Sequence, residues 1–176
     1  MARPVQAMSS PFFYIVFSLM VSSAALSVIF FIAWINFGKR PHALSWSIAS
    51  FAGMLQWAVS LNSALFPSAD TYWLTENVFA IALITLVLKG HCQRTHCKWL
   101  PGNLFPYAAV AYAFFAWHVV VEPHAGLRFG LMPAYAAATM YMSSYMIVAY
   151  RERTRPSEWA AAVFIALCAV AQTLSA

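Results

Sequence analysis

The sequence predicts an all-α polytopic membrane protein, a bundle of six transmembrane helices. Three observations carry the expectation. Six apolar stretches are each about long enough, at ~20 residues of helix, to cross ~30 Å of hydrocarbon. Hydrophobic residues make up 62% of the chain and charged residues 9%, where a soluble domain carries about 25% charged. The connections alternate between basic and nearly charge-free. In lipid no water is available to the backbone, and a helix satisfies its polar groups internally. A soluble enzyme is therefore excluded, and residues 1–176 make one transmembrane helical domain with no room for a second.

The first stretch runs over about 11–37. Arg3 precedes it as a signal peptide's charge would, but the apolar run exceeds the ~7–15 residues of a signal core. No small-residue cleavage pattern follows, so it reads as a retained helix. Within it Ser18 and Ser22, and Ser23 and Ser27, recur every fourth residue. The second stretch, about 43–66, carries the same device at Ser45, Ala49 and Gly53. Such small-residue stripes let a neighbouring backbone come close. The third covers about 72–89 and the fourth about 104–121. The fifth, about 129–150, sets Thr139 and Ser143 beside Ala134 and Ala138. The sixth covers about 158–176 and closes on Leu174, Ser175 and Ala176 with no polar tail. This is either a protein ending at the membrane surface or the membrane part of something longer. Pro106 and Pro133 are expected in first turns, where proline is tolerated.

The net charge of +5 suggests nucleic acid only until its distribution is read. Lys39 and Arg40 follow the first stretch, Lys89, Arg94 and Lys98 the third, and Arg151, Arg153 and Arg155 the fifth. The second and fourth connections hold Arg128 beside Asp70 and Glu122. Loops rich in Lys and Arg stay cytoplasmic, which places both termini outside. The partner implied is the lipid bilayer, with contact to anionic headgroups a secondary role for the basic loops. No nucleic acid is implied. The three basic turns also share a pattern, a Trp five or six residues after an Arg (Arg40 to Trp46, Arg94 to Trp99, Arg153 to Trp159). Interfacial Trp and basic loops account for this without a repeated unit.

Two groups of residues could carry chemistry. At the basic end of the third stretch lie His91, Cys92, His96 and Cys97. If the helix continues, Cys92 and His96 share a face four residues apart and could bind a soft or borderline metal. The spacing is not a standard zinc pattern, and a reduced basic turn explains it equally. Cys168 reads as packing. The second group is dispersed over the outer half: Gln56, Ser60 and Asn62, Glu76 and Asn77, His118 and Tyr135, with Trp57, Trp73 and Trp117 at comparable depth. Ionisable groups inside a span are costly unless paired, and aromatic walls with a few polar points describe a small-molecule pocket. The ligand-binding residues expected are Gln56, Trp57, Asn62, Glu76, Asn77, Trp117, His118 and Tyr135, taking an apolar or amphipathic ligand. Glu76 is also placed where headgroup water would solvate it.

Other chemistries lack their parts. No His pair at matching depth offers haem ligation, no acidic chain crosses the bilayer, and no hydrolytic constellation or phosphate-binding glycine loop is present. No cofactor and no enzymatic activity are expected.

The run Trp34-Ile35-Asn36-Phe37-Gly38-Lys39-Arg40-Pro41-His42-Ala43-Leu44-Ser45-Trp46, then Tyr72-Trp73-Leu74-Thr75-Glu76-Asn77-Val78-Phe79, then the basic exit from Lys89 to Arg94, resembles the N-terminal multi-helix membrane regions of bacterial diguanylate cyclases. The likeness covers the first three stretches best. It implies a sensory or regulatory input module in the bacterial inner membrane, with a downstream cytoplasmic signalling domain as partner; the small-residue stripes leave a homodimer open as a further partner. The chain departs from that pattern in having no GGDEF or EAL stretch, and a cytoplasmic output would need a seventh helix. The reading is a non-enzymatic membrane sensor feeding cyclic di-GMP signalling. The alternatives are a small membrane transporter or a structural subunit of a larger membrane complex.

Overall fold

The computed structural model describes residues 10–98, 103–121, 125–149 and 156–175. Among the described residues all regular structure is helical. The helices are α1 (Ser10–Asn36), α2 (Pro41–Leu61), α3 (Ala69–Thr95), α4 (Phe105–Val120), α5 (Ala125–Ala149) and α6 (Pro156–Ser175), with a 3₁₀ turn at Ser63–Leu65. Three are long and apolar enough to cross a membrane, over Pro11–Asn36, Ala69–Thr95 and Pro156–Leu174. Helix α4 is apolar but has 16 residues, about 24 Å of helix, short of a ~30 Å core. Length and apolarity thus support membrane association through α1, α3 and α6 rather than six equal spans. Helix α2 shows why hydropathy falls short: its Ser45, Ser47 and Ser60 are buried inside the protein, and a helix packed on both sides need not be apolar all round.

Helix α3 is central. Helix α2 packs along it, α1 packs along α2, and α4 and α5 take another side, with α6 paired to α5. The α1–α2 pairing is pinned reciprocally: Ser27 Oγ donates to the Ser47 carbonyl at 3.0 Å, and Ser47 Oγ to the Ser27 carbonyl at 2.9 Å. Ser45, Ala49 and Gly53 are all buried. A Cβ on Gly53 would stand 3.5 Å from both Ser23 Oγ and Leu83 Cδ2, so this stripe seats α2 between α1 and α3. In α5, Thr139 and Ser143 are buried together with Ala136 and Ala137, whereas Ala134 and Ala138 are exposed. The buried face there is one step round the helix from the expected one.

Local signals set the ends. Gly38 and Lys39, with φ of 74° and 54°, turn the chain sharply between α1 and α2. Ser68 and Thr71 close a capping box on α3. Helix α3 stops at Thr95 because His96 is left-handed, φ 50°, with its N–H returned to the Cys92 carbonyl. Pro106 lies in the first turn of α4. Pro133 does not lie in a first turn: α5 starts at Ala125, so Pro133 is inside the helix and cannot donate to the Phe129 carbonyl.

The chain therefore packs as two groups, α1–α2–α3 and α5–α6, with α4 lying beside α3 and touching α5 little. Among the described residues, polar contacts cross between the groups at Thr85–Tyr135 and Arg94–Glu158. Thr85 Oγ1 and the Tyr135 hydroxyl are 2.8 Å apart, and Arg94 Nη2 donates to Glu158 Oε1 at 3.1 Å. An apolar cluster of Leu88, Cys97, Leu104 and Met146, with Cys92 and Met142 against it, closes the basic end.

Candidate functional site

At the end opposite the basic turns, one turn of α2 faces one turn of α3. Ser60 is buried, and its Oγ contacts Glu76 Oε1 at 2.7 Å and the Gln56 carbonyl of its own helix at 3.2 Å. Tyr72, one turn earlier on α3, interacts with both Glu76 and Ser60. The carboxylate is half-buried and held by hydroxyls, the form in which an intramembrane acid is tolerable. Gln56 and Trp57 are half-buried on the adjoining turn of α2. Asn62 is exposed and ends α2, its side-chain amide donating to the Ala58 carbonyl at 2.8 Å.

The remaining expected residues lie elsewhere. Asn77 is 5% exposed, but its amide donates to the Trp73 carbonyl of its own helix at 2.8 Å. His118, on α4, is 9% exposed, with its ring 4.7 Å from that of Phe114 and its buried Nδ1 unpaired. Tyr112 of α4 donates to the Leu74 carbonyl. Leu74 and Glu76 are two residues apart, about 200° around the helix. Helix α3 thus has Glu76 turned to α2 and its opposite side to α4, with its own backbone between Glu76 and His118. Trp117 is 53% exposed, so it does not wall an interior pocket. Tyr135 bonds Thr85, nine residues or about 13 Å along α3 from Glu76. One outer-half site of eight residues is therefore not assembled. The structure brings together Gln56, Ser60, Tyr72 and Glu76, and separates His118, Trp117 and Tyr135 from them. Neither the azimuth of each residue on its helix nor the level of Tyr135, which stands at Thr85 and not at Glu76, could be read from the sequence.

The metal expectation at Cys92 and His96 meets a similar correction. It required the helix to continue, and the helix ends at Thr95 with His96 turned out and exposed. Cys92 Sγ donates to the Cys97 carbonyl at 3.3 Å, and both cysteines belong to the apolar cluster at the basic end. Among the described residues no three His, Cys, Asp or Glu side chains stand close enough to hold a metal.

The structure adds an arrangement that the sequence reading did not single out. Trp46, in the first turns of α2, lies in a niche left by Gly90 of α3, where a Cβ would overlap the indole Nε1. Around it are Phe30 at 5.5 Å, His42 at 5.2 Å and His91 at 5.4 Å between ring centroids, and the Arg94 guanidinium at 5.9 Å. Beside it Ser45 Oγ donates to Gln93 Oε1 at 2.8 Å. The indole Nε1 and His91 Nδ1 are buried without partners. Its sequence signal is the glycine just ahead of a histidine near a helix end.

No family model, curated protein or solved structure matches this chain.

Proposed function

We propose that the chain is a multi-pass membrane sensory or regulatory module of the bacterial inner membrane, with all six helices inserted, both termini outside and a cytoplasmic cyclic di-GMP output. The observation that carries the reading is the lean seam between α1–α3 and α5–α6. Each group is tightly paired internally, while the polar contacts described between them are Thr85–Tyr135 and Arg94–Glu158. Two packed units joined by the apolar Leu88–Met146 cluster and a few exchangeable polar contacts can hold two relative arrangements, and a ligand that favours one shifts the population. The Ser60–Glu76 pair lies inside one unit and is a polar point at which a small amphipathic ligand would act. The resemblance of the first three helices to diguanylate cyclase membrane regions supports the same reading.

The test places spin labels at Lys98→Cys and Ser157→Cys in the full chain in nanodiscs, with Cys92, Cys97 and Cys168 replaced. A regulatory module gives two distance populations whose ratio moves with Tyr135→Phe. A single distance indifferent to that change overturns the reading and favours a static subunit of a larger complex. Pro133 inside α5, which leaves the Phe129 carbonyl without its backbone donor in an otherwise continuous helix, favours a second reading, a small transporter, because proline within an apolar helix is a pointer to substrate sites. Alternating access would move a second label pair, Ser68→Cys with Val121→Cys, in the opposite sense to the first.

A further inference from the structure

We propose that the α1–α2 turn and the last turn of α3 form a binding site for one anionic phospholipid headgroup, held by Arg40, His42, Arg94 and His96. The site is assembled by tertiary packing. Ser45–Gln93 and the seating of Trp46 against Gly90 bring the first turn of α2 onto the last turn of α3. Arg94 then lies over the Trp46 ring, and His42 packs against the same indole. Arg40, Arg94 and His96 each act electrostatically on His42, so the four basic groups, from two separate loops, share one field. Burial first, and then these neighbours, lower the His42 pKa below 6.5, so the imidazole is held neutral beside two guanidinium charges. An anion there relieves that repulsion and lets His42 become a further charged donor. Helix α2 opens at Arg40 with no side-chain cap, and its dipole adds in the same sense.

The chemistry of the surroundings selects a lipid. Beside the basic groups the last turns of α1 expose Phe31, Ile32 and Ile35, and the turn after it Phe37, a track on which acyl chains can lie while the headgroup meets the guanidinium groups. A free phosphate would gain nothing from that track. Among the described residues the acid recorded against the cluster is Glu158 of α6, which holds Arg94. A headgroup competes with Glu158 for Arg94, so occupancy loosens a polar contact across the seam. The site itself does not depend on the regulatory reading. Its consequence for the seam does.

The experiment titrates the full chain, in a neutral detergent, with soluble short-chain phosphatidylglycerol, short-chain phosphatidylcholine and inorganic phosphate. Phosphatidylglycerol should bind and phosphatidylcholine should not. Arg40→Gln and Arg94→Gln should each weaken phosphatidylglycerol about fivefold, the scale of one basic contact at a membrane surface. Glu158→Gln breaks the same ion pair as Arg94→Gln but should strengthen binding severalfold, which separates loss of a headgroup contact from loss of fold. Equal binding of the two lipids, or Arg40→Gln and Arg94→Gln binding like the parent, overturns the site. Inorganic phosphate binding as tightly as phosphatidylglycerol overturns the lipid assignment. The site surviving while the Lys98–Ser157 label distances ignore phosphatidylglycerol would count against its role at the seam alone.

Discussion

Gly90 and Ser60 are the positions where one atom decides most. A methyl at Gly90 meets the Trp46 indole, which Phe30, His42 and His91 hold from other sides. Gly90→Ala should therefore cost about 1–3 kcal/mol, the usual range for overpacking. It should read as a lower melting temperature in detergent, and adding Trp46→Leu should recover part of the loss. If Gly90→Ala melts with the parent, the niche is not a packing constraint. At Ser60 the hydroxyl is what makes Glu76 tolerable between α2 and α3. Ser60→Ala should destabilise by about 1–2 kcal/mol, within the range found for interhelical hydrogen bonds in membranes, while Glu76→Gln keeps an acceptor for Ser60 and should melt close to the parent. The reverse order would show that charge rather than hydrogen bonding holds the pair. His42 supplies the pH dependence. Its pKa lies below 6.5, through burial first and then Arg94, Arg40 and His96, with Glu158 acting on Arg94 and His91 on the far side of Trp46. The neutral form is the one the fold favours, so this contribution to stability is present above pH 6.5 and is lost as pH falls through the lowered value. An anionic headgroup favours the charged form, so phosphatidylglycerol affinity should rise over the same fall in pH, and His42→Gln should flatten that rise.

Among the elements, α1 and α5 behave differently from what their sequences suggest. Helix α1 is the most apolar stretch, yet it is the least buried of the helices able to cross a membrane and rests on α2. Its hold on the bundle runs through Ser27 and Ser47, whose hydroxyls each reach the other's carbonyl. Ser27→Ala with Ser47→Ala should release α1, seen as faster proteolysis in the Gly38–Lys39 turn, with little effect on the α5–α6 pair. Unchanged cleavage would assign the pairing to apolar packing alone. The serine spacing was legible, because small residues every fourth position mark a close approach. The partner was not, because Ser47 stands outside the Ser45, Ala49 and Gly53 stripe. In α5 the sequence placed Pro133 near a helix start. The structure starts the helix at Ala125, since neither glycine nor arginine bars a helix as proline does.

At the scale of the whole molecule, the proposed topology puts the Ser68–Thr71 and 154–157 connections on opposite faces of the membrane. An impermeant thiol reagent should label Ser68→Cys and Ser157→Cys from opposite sides, and labelling of both from one side would reject six inserted helices. The sequence by itself determined the all-helical class, the approximate bounds of the helices and the clustering of basic residues in alternate connections. Hydropathy, proline and charge are properties of the chain along its length. The tertiary structure alone decided which residues share a site. Glu76 pairs with Ser60 and not His118 because a difference of two residues is about 200° on a helix, invisible to a reading of depth. His42 and Arg94 meet at the Trp46 ring because Gly90 leaves room for the indole, and that closeness is a fact about two helix surfaces rather than about either segment.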